Sequence, residues 1–134
     1  MDDITQTSNT FNLQVRQITP ELISSVTDRI IYGVRPSQIH LFGSQANGQA
    51  NVESDLDLLV IVDTQHALAP LQHRFRAGKI LDLFRYRRFG LDTIVLTEEE
   101  IQLLQAENEG EWDLILDILA TGKLLYERHK ETQD

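Results

Sequence analysis

Asp55 and Asp57 stand two residues apart at the head of a run of Leu, Ile and Val, and ten residues separate them from the pair Gly43-Ser44. Side chains alternate faces along a strand, so the two carboxylates project the same way, about 7 Å apart by the strand rise. Leu56, Leu58, Val60 and Val62 then take the opposite face into a core. Paired carboxylates suit hard cations such as Mg²⁺, and without a cation their repulsion raises one pKa. Gly43 follows a short apolar strand, Gln38-Ile39-His40-Leu41-Phe42. A residue without Cβ at a strand-to-helix junction lets phosphate approach the backbone, and the Ser44 hydroxyl can donate to a phosphate oxygen or cap the new helix. Either feature alone is a weak signal. Together, in this order, they suit metal-assisted chemistry on a nucleoside triphosphate.

A third carboxylate completes the set if its strand lies beside the first. Asp92 opens the apolar run Leu91-Asp92-Thr93-Ile94-Val95-Leu96 and is preferred over Asp63, at the far end of its strand, and Asp82, in a helical context. Three carboxylates and two metal ions are the usual arrangement for in-line phosphoryl or nucleotidyl transfer. Asp92 is also placed to take the proton of an acceptor hydroxyl.

These residues need a scaffold, and the chain reads as a small α/β (α+β) domain. Residues 1–18 are polar and read as a flexible leader, 19–126 as the domain, and 127–134 as a polar tail. Thr19-Pro20-Glu21 opens a helix whose apolar face is Leu22, Ile23, Val26, Ile30 and Ile31, ending near Gly33 and Pro36. Strands are expected at 38–42, 55–62 and 91–96. Helices are expected just after Ser44, from His66 to about Arg87, from the capping box Thr97-Glu98-Glu99-Glu100, and from about Glu111 to Tyr126. The order α-β-α-β-α-β-α-α implies helices packed on a sheet.

Composition removes several function classes. The 134 residues carry 12 Lys and Arg against 21 Asp and Glu, a net charge of −9, which argues against nucleic-acid binding by phosphate neutralisation. There are no cysteines, so disulfides and thiolate metal sites are excluded, which fits a cytoplasmic setting. No apolar run reaches the roughly 18–20 residues of a membrane span. Half of the cations, Arg74, Arg76, Lys79, Arg85, Arg87 and Arg88, fall in one segment, read either as a site for a local anionic target or as a solvated helix face. His40, His66, His73 and His129 have no metal-ligand spacing, and Trp112 reads as a packing anchor.

The stretch His40-Leu41-Phe42-Gly43-Ser44-Gln45-Ala46-Asn47-Gly48, followed by Ser54-Asp55-Leu56-Asp57-Leu58-Leu59-Val60, resembles the signature of the DNA polymerase β-like nucleotidyltransferase superfamily. The small size, the strand with Asp92 and the closing Gly122-Lys123-Leu124-Leu125-Tyr126 resemble its minimal, MNT-type members, over roughly residues 20–126. The resemblance implies a small mixed sheet flanked by helices, two Mg²⁺ ions, and transfer of a nucleoside monophosphate, AMP from ATP, to a hydroxyl. On matching positions Asp55, Asp57 and Asp92 are the metal ligands and catalytic residues, and Gly43 and Ser44 bind the nucleotide's phosphates. It further implies an antitoxin role in which a tyrosine of a partner HEPN ribonuclease toxin is adenylylated, within a homodimer or hetero-oligomer. Two other readings remain: a binding antitoxin that occludes the toxin without chemistry, and a small-molecule enzyme of the aminoglycoside-modifying kind.

Overall fold

The computed structural model describes residues 17–51, 54–107 and 113–129. Helix α1 spans Pro20–Val34, capped by Thr19, whose hydroxyl accepts the Leu22 amide at 3.1 Å, and closed by Arg35 in the left-handed region. Strand β1, Gln38–Phe42, leads into the single-turn helix α2, Ser44–Asn47. Strand β2, Leu56–Val62, is followed by helix α3, His73–Leu81, and a 3₁₀ turn, Asp82–Phe84. Strand β3 is Leu91–Thr97, helix α4 is Glu98–Glu107, helix α5 is Leu114–Thr121 and strand β4 is Lys123–Glu127.

The four strands form one mixed sheet in the order β3-β2-β1-β4. β1 is antiparallel to both β2 and β4, whereas β2 and β3 run parallel, joined across the sheet face by α3. Two apolar clusters sandwich the sheet. On one face Leu56, Leu58, Val60 and Val62 meet Val26 and Ile30 of α1, Ile80 of α3 and Phe84. On the other, Leu59 and Ile61 meet Leu96, Ile101 of α4 and Ile118 of α5. Among the described residues no helix is long and apolar enough to cross a membrane.

Two expected elements differ. The helix expected from His66 begins only at His73, because Pro70 cannot continue an α-helical hydrogen-bond ladder. Residues 63–71 instead form successive turns, and His66 ties them down by accepting the Leu68 amide on Nδ1 and facing the Val34 carbonyl with Nε2 at 2.6 Å. The final helix expected to reach Tyr126 stops at Thr121, and residues 123–127 become a fourth strand beside β1. Gly122 marks the change: a Cβ there would meet the Ile118 carbonyl oxygen at 2.6 Å and that of Leu41 at 2.8 Å, so the backbone can pass only without a side chain. β4 carries through Glu127, and Arg128 pairs with both oxygens of Asp63 at 2.8 and 2.9 Å. Ile18 packs against the core, while residues 1–16 of the expected leader, Trp112 and the last five residues lie outside the described residues.

Arg76 also departs from its reading as part of a surface cationic segment. It is buried at 3% exposure. Its guanidinium donates to the carbonyls of Leu68, Ala69, Leu71 and Val95 and to both oxygens of Glu100. Glu100 in turn closes the expected capping box, accepting the Thr97 amide at 2.8 Å while its own amide donates to Thr97 Oγ1 at 3.1 Å. One side chain therefore fastens the turns after β2, the strand β3 and the start of α4. Partial burial pushes the Glu100 carboxyl up, but the hydrogen bonds from Arg76 and Thr97 and the Arg76 charge outweigh it and hold the pKa at about 2.

Removing a buried ion-pair partner costs about 3–5 kcal/mol. Arg76→Met is expected to lose stability in that range, measured by urea unfolding. Because the folded pKa of Glu100 lies below its ordinary 4.5, its contribution is complete above that pH and fades toward pH 2. The melting-temperature gap between the native chain and Glu100→Gln should thus be widest near neutral pH and close as pH falls through that window.

Candidate active site

The register of two strands assembles the carboxylates. In the parallel pairing of β2 with β3, Asp57 lies directly beside Asp92, as Leu56 does beside Leu91. Parallel partners in register point to the same face, so Asp57 and Asp92 share the side that carries Leu59, Ile61, Ile94 and Leu96 farther along. Asp55 immediately precedes β2, two residues back on the same face, and is exposed, as is Asp92. Asp57 is half-buried between them. Burial, the charges of Asp92 and Asp55, and a hydrogen bond with Asp92 together push the Asp57 carboxyl up to about 6.

β1 delivers the Gly43-Ser44 turn to the same spot. Phe42 pairs with Asp57 across the antiparallel ladder, so Gly43 emerges against the Asp57 side chain. A Cβ built on Gly43 would come within 3.2 Å of Asp57 Cγ and closer still to Oδ2. Gly43 also has φ of 77°, which favours glycine. Its carbonyl accepts the amides of Ala46 and Asn47 at 3.0 and 3.3 Å, folding Ser44–Asn47 into one turn. The first amides of such a turn have no acceptor within it, so they and the Ser44 hydroxyl are available to an anion. Beside this turn lies a cavity of about 280 Å³ lined by Phe42, Gly43, Asn47, Leu114, Asp117 and Thr121. A larger cavity of about 590 Å³, between α1 and β4, lies beyond Leu41 and Gln45 on the other side of β1 and touches none of the carboxylates.

The rival acids are elsewhere. Asp63 sits past the far end of β2, engaged by Arg128, and Asp82 starts the 3₁₀ turn at the surface. Of the histidines, His66 and His73 serve local hydrogen bonds, His40 faces Gln38 Oε1 within the sheet, and His129 is exposed. Gly90 is a site residue the spacing argument did not weigh. Its carbonyl accepts the Leu56 amide at 2.9 Å, and a Cβ on it would come within 2.6 Å of Asp55 Cγ. The pattern Phe-Gly-Leu-Asp at 89–92, a glycine two residues ahead of the third carboxylate, was the available signal.

The three carboxylates do not close into a finished cage among the described residues. Their chemistry nonetheless fits a divalent cation. The donors are all carboxylate oxygen, and the Asp57 pKa is raised by burial and then by the like charges beside it, which a cation between them relieves.

The sequence profile of the family described as Polymerase beta, Nucleotidyltransferase matches residues 31–131. The chain belongs to that family. Its fold agrees: a crystal structure from Sulfolobus solfataricus, provisionally named a nucleotidyltransferase, superposes with a TM-score of 0.53 at 18% identity, covering 81% of this chain and 79% of that one. A second solved structure of the same provisional name aligns at 21% identity over 63% of this chain and 87% of that one, with a TM-score of 0.36. No curated protein matches the chain in sequence.

A raised carboxylate pKa means the fold is favoured while Asp57 is protonated and loses that advantage as pH rises through about 6. In metal-free buffer, Asp57→Asn should raise the melting temperature above pH 6 and give no gain near pH 4. Mg²⁺ should raise the melting temperature of the native chain and leave that variant unmoved. Gly90→Ala, which drives a methyl into the Asp55 carboxyl, should weaken the Mg²⁺ response several-fold, read by titrating the same melting curve.

Proposed function

We propose that this family member transfers AMP from ATP to a hydroxyl group, using Mg²⁺ held by Asp55, Asp57 and Asp92, and that the acceptor is a tyrosine of a partner HEPN-type ribonuclease that it thereby neutralises. The observation that supports the reading best is the register of Asp57 against Asp92, with Gly43 pressed on the same carboxylate. It lines up a phosphate turn, a half-buried ligand and an exposed acid across three adjacent strands.

The roles follow from position. Gly43 lets a phosphate approach the backbone, and the Ser44 hydroxyl donates to one of its oxygens. Asp55, Asp57 and Asp92 would hold the cation, with Asp57 half-buried against the Gly43 turn. Bound Mg²⁺ supplies charge neutralisation for the triphosphate and for the oxygen leaving the α-phosphorus. Asp92, exposed on the edge strand, accepts the proton of the acceptor hydroxyl. The new bond joins the acceptor oxygen to the α-phosphorus, and the bond from that phosphorus to the bridging oxygen breaks, releasing pyrophosphate. The expectation of a protein acceptor rests on the resemblance to minimal members, which carry no acceptor-binding domain of their own.

The test is incubation of the purified chain with ATP labelled on its α-phosphate, MgCl₂ and the protein encoded beside it. Label should move onto a tyrosine of that protein, and EDTA should abolish transfer. Asp92→Asn should slow it by roughly 10²–10⁴-fold, the range for losing a general base. Label on free hydroxyl compounds without any partner protein would replace the tyrosine reading with the small-molecule one. Transfer undiminished in Asp57→Ala would end the catalytic reading altogether.

A further inference from the structure

We propose that the loop Arg85-Tyr86-Arg87-Arg88 is the docking surface for the acceptor, and that the acceptor is a protein segment carrying acidic side chains around its hydroxyl. The proposal rests on the nucleotidyl-transfer reading for which side of the carboxylates the acceptor occupies. Along the end of the sheet, Gly43 and Ser44 leave β1, Asp57 belongs to β2 and Asp92 to β3, which is an edge strand. The triphosphate side is therefore the β1 side, and the open edge beyond Asp92 is left for the acceptor.

The loop leads directly into that edge strand. Phe84 and Phe89 anchor its two ends, at 0% and 3% exposure, and Gly90 fixes it to the site through the Leu56 hydrogen bond and its close approach to Asp55. Two residues of chain reach at most about 7 Å, so the Arg88 backbone lies within about that distance of Gly90, which touches Asp55. Between the anchors, Arg85, Tyr86 and Arg88 are exposed and Arg87 is half-buried. Tyr86 is 84% exposed and has φ of 68°, a conformation that costs a non-glycine residue on the order of 1 kcal/mol or more. Among the described residues none of the three guanidinium groups is paired with a carboxylate, although the chain carries a net charge of −9. Arginine presents a planar fork that takes a carboxylate through two parallel hydrogen bonds, and Arg and Tyr together are typical anchors of protein contacts. A long nucleic acid would meet the surrounding negative charge, whereas a short acidic segment meets only the loop.

The experiment uses the full chain and fluorescein-labelled random copolymers, followed by fluorescence anisotropy at low salt. A glutamate–tyrosine copolymer should bind, a lysine–tyrosine copolymer should not, and poly(U) should bind more weakly than the first. The double variant Arg85→Ala/Arg88→Ala should lose at least about tenfold in affinity for the acidic copolymer, or 1.4 kcal/mol. Its melting temperature, and the rise that MgATP produces in it, should match those of the native chain. Unchanged copolymer affinity in the variant, equal binding of the lysine copolymer, or tighter binding of poly(U) overturns the proposal. So does loss of the MgATP response, which would assign the arginines to the triphosphate. Arginine-dependent copolymer binding in a chain that transfers no AMP to any acceptor upholds the surface and removes only the transfer reading. Transfer to the partner with an unchanged acceptor KM in the variant removes only the surface.

Discussion

The parallel pairing of β2 with β3 decides what the rest of the molecule must do. Registering Asp57 on Asp92 sets two acidic groups side by side, with a third two residues away, at the end of two strands whose remaining side chains on that face are apolar. Like charges so placed oppose folding, and they add to burial in raising the Asp57 pKa. The fold must hold the register against the repulsion by interactions that do not involve the carboxylates. Apolar packing on both faces provides most of it: β2 has five fully or nearly buried aliphatic residues in a row, Leu58 through Val62. A one-residue slip would exchange the two faces of the strand and carry Asp57 into the core.

Arg76 is the second restraint, and it acts on the connection. Parallel strands need a crossover, and here the crossover consists of loose turns around Pro70 followed by a short helix. Such turns leave carbonyls without helix partners. Arg76 collects three of them, adds the Val95 carbonyl from β3, and pairs with Glu100 at the start of α4. The strand that bears Asp92 is thus tied to the turns that leave the strand bearing Asp57. An ion pair outside the candidate site thus helps to fix the spacing of its acids.

The parts legible in the sequence are those governed by local periodicity. Asp55 and Asp57 share a face because strands alternate every two residues, and the Thr97–Glu100 capping box reads directly from its spacing. The association of Asp92 with them was legible only as a conditional, since nothing local says which strands pair. What escaped were features that depend on distant neighbours. Arg76 looks like its cationic neighbours until four carbonyls, three from the turns after β2 and one from β3, surround it. Gly90 matters because Asp55 comes to rest on it, and Gly122 because the β1 backbone passes beside it. Leu124, Leu125 and Tyr126 extend the apolar count of a helix or a strand equally well, and the available strand edge of β1 decided between them. Pro70 is a miss that local chemistry did announce.

Two glycines bracket the acids in a way that links geometry to reactivity. Gly43 presses on Asp57 from the β1 side, and Gly90 presses on Asp55 from the side where the chain enters β3. Each allows backbone to approach a carboxylate more closely than any side chain would, so each limits the positions the acid can take. For Asp57, the half-buried one of the two acids, this restriction costs stability in the isolated chain. The same restriction becomes favourable once a cation lies between them, because no side-chain freedom is left to lose on binding. The two inner acids are thus confined by backbone rather than by side-chain networks, while Asp92 stands exposed on the edge strand.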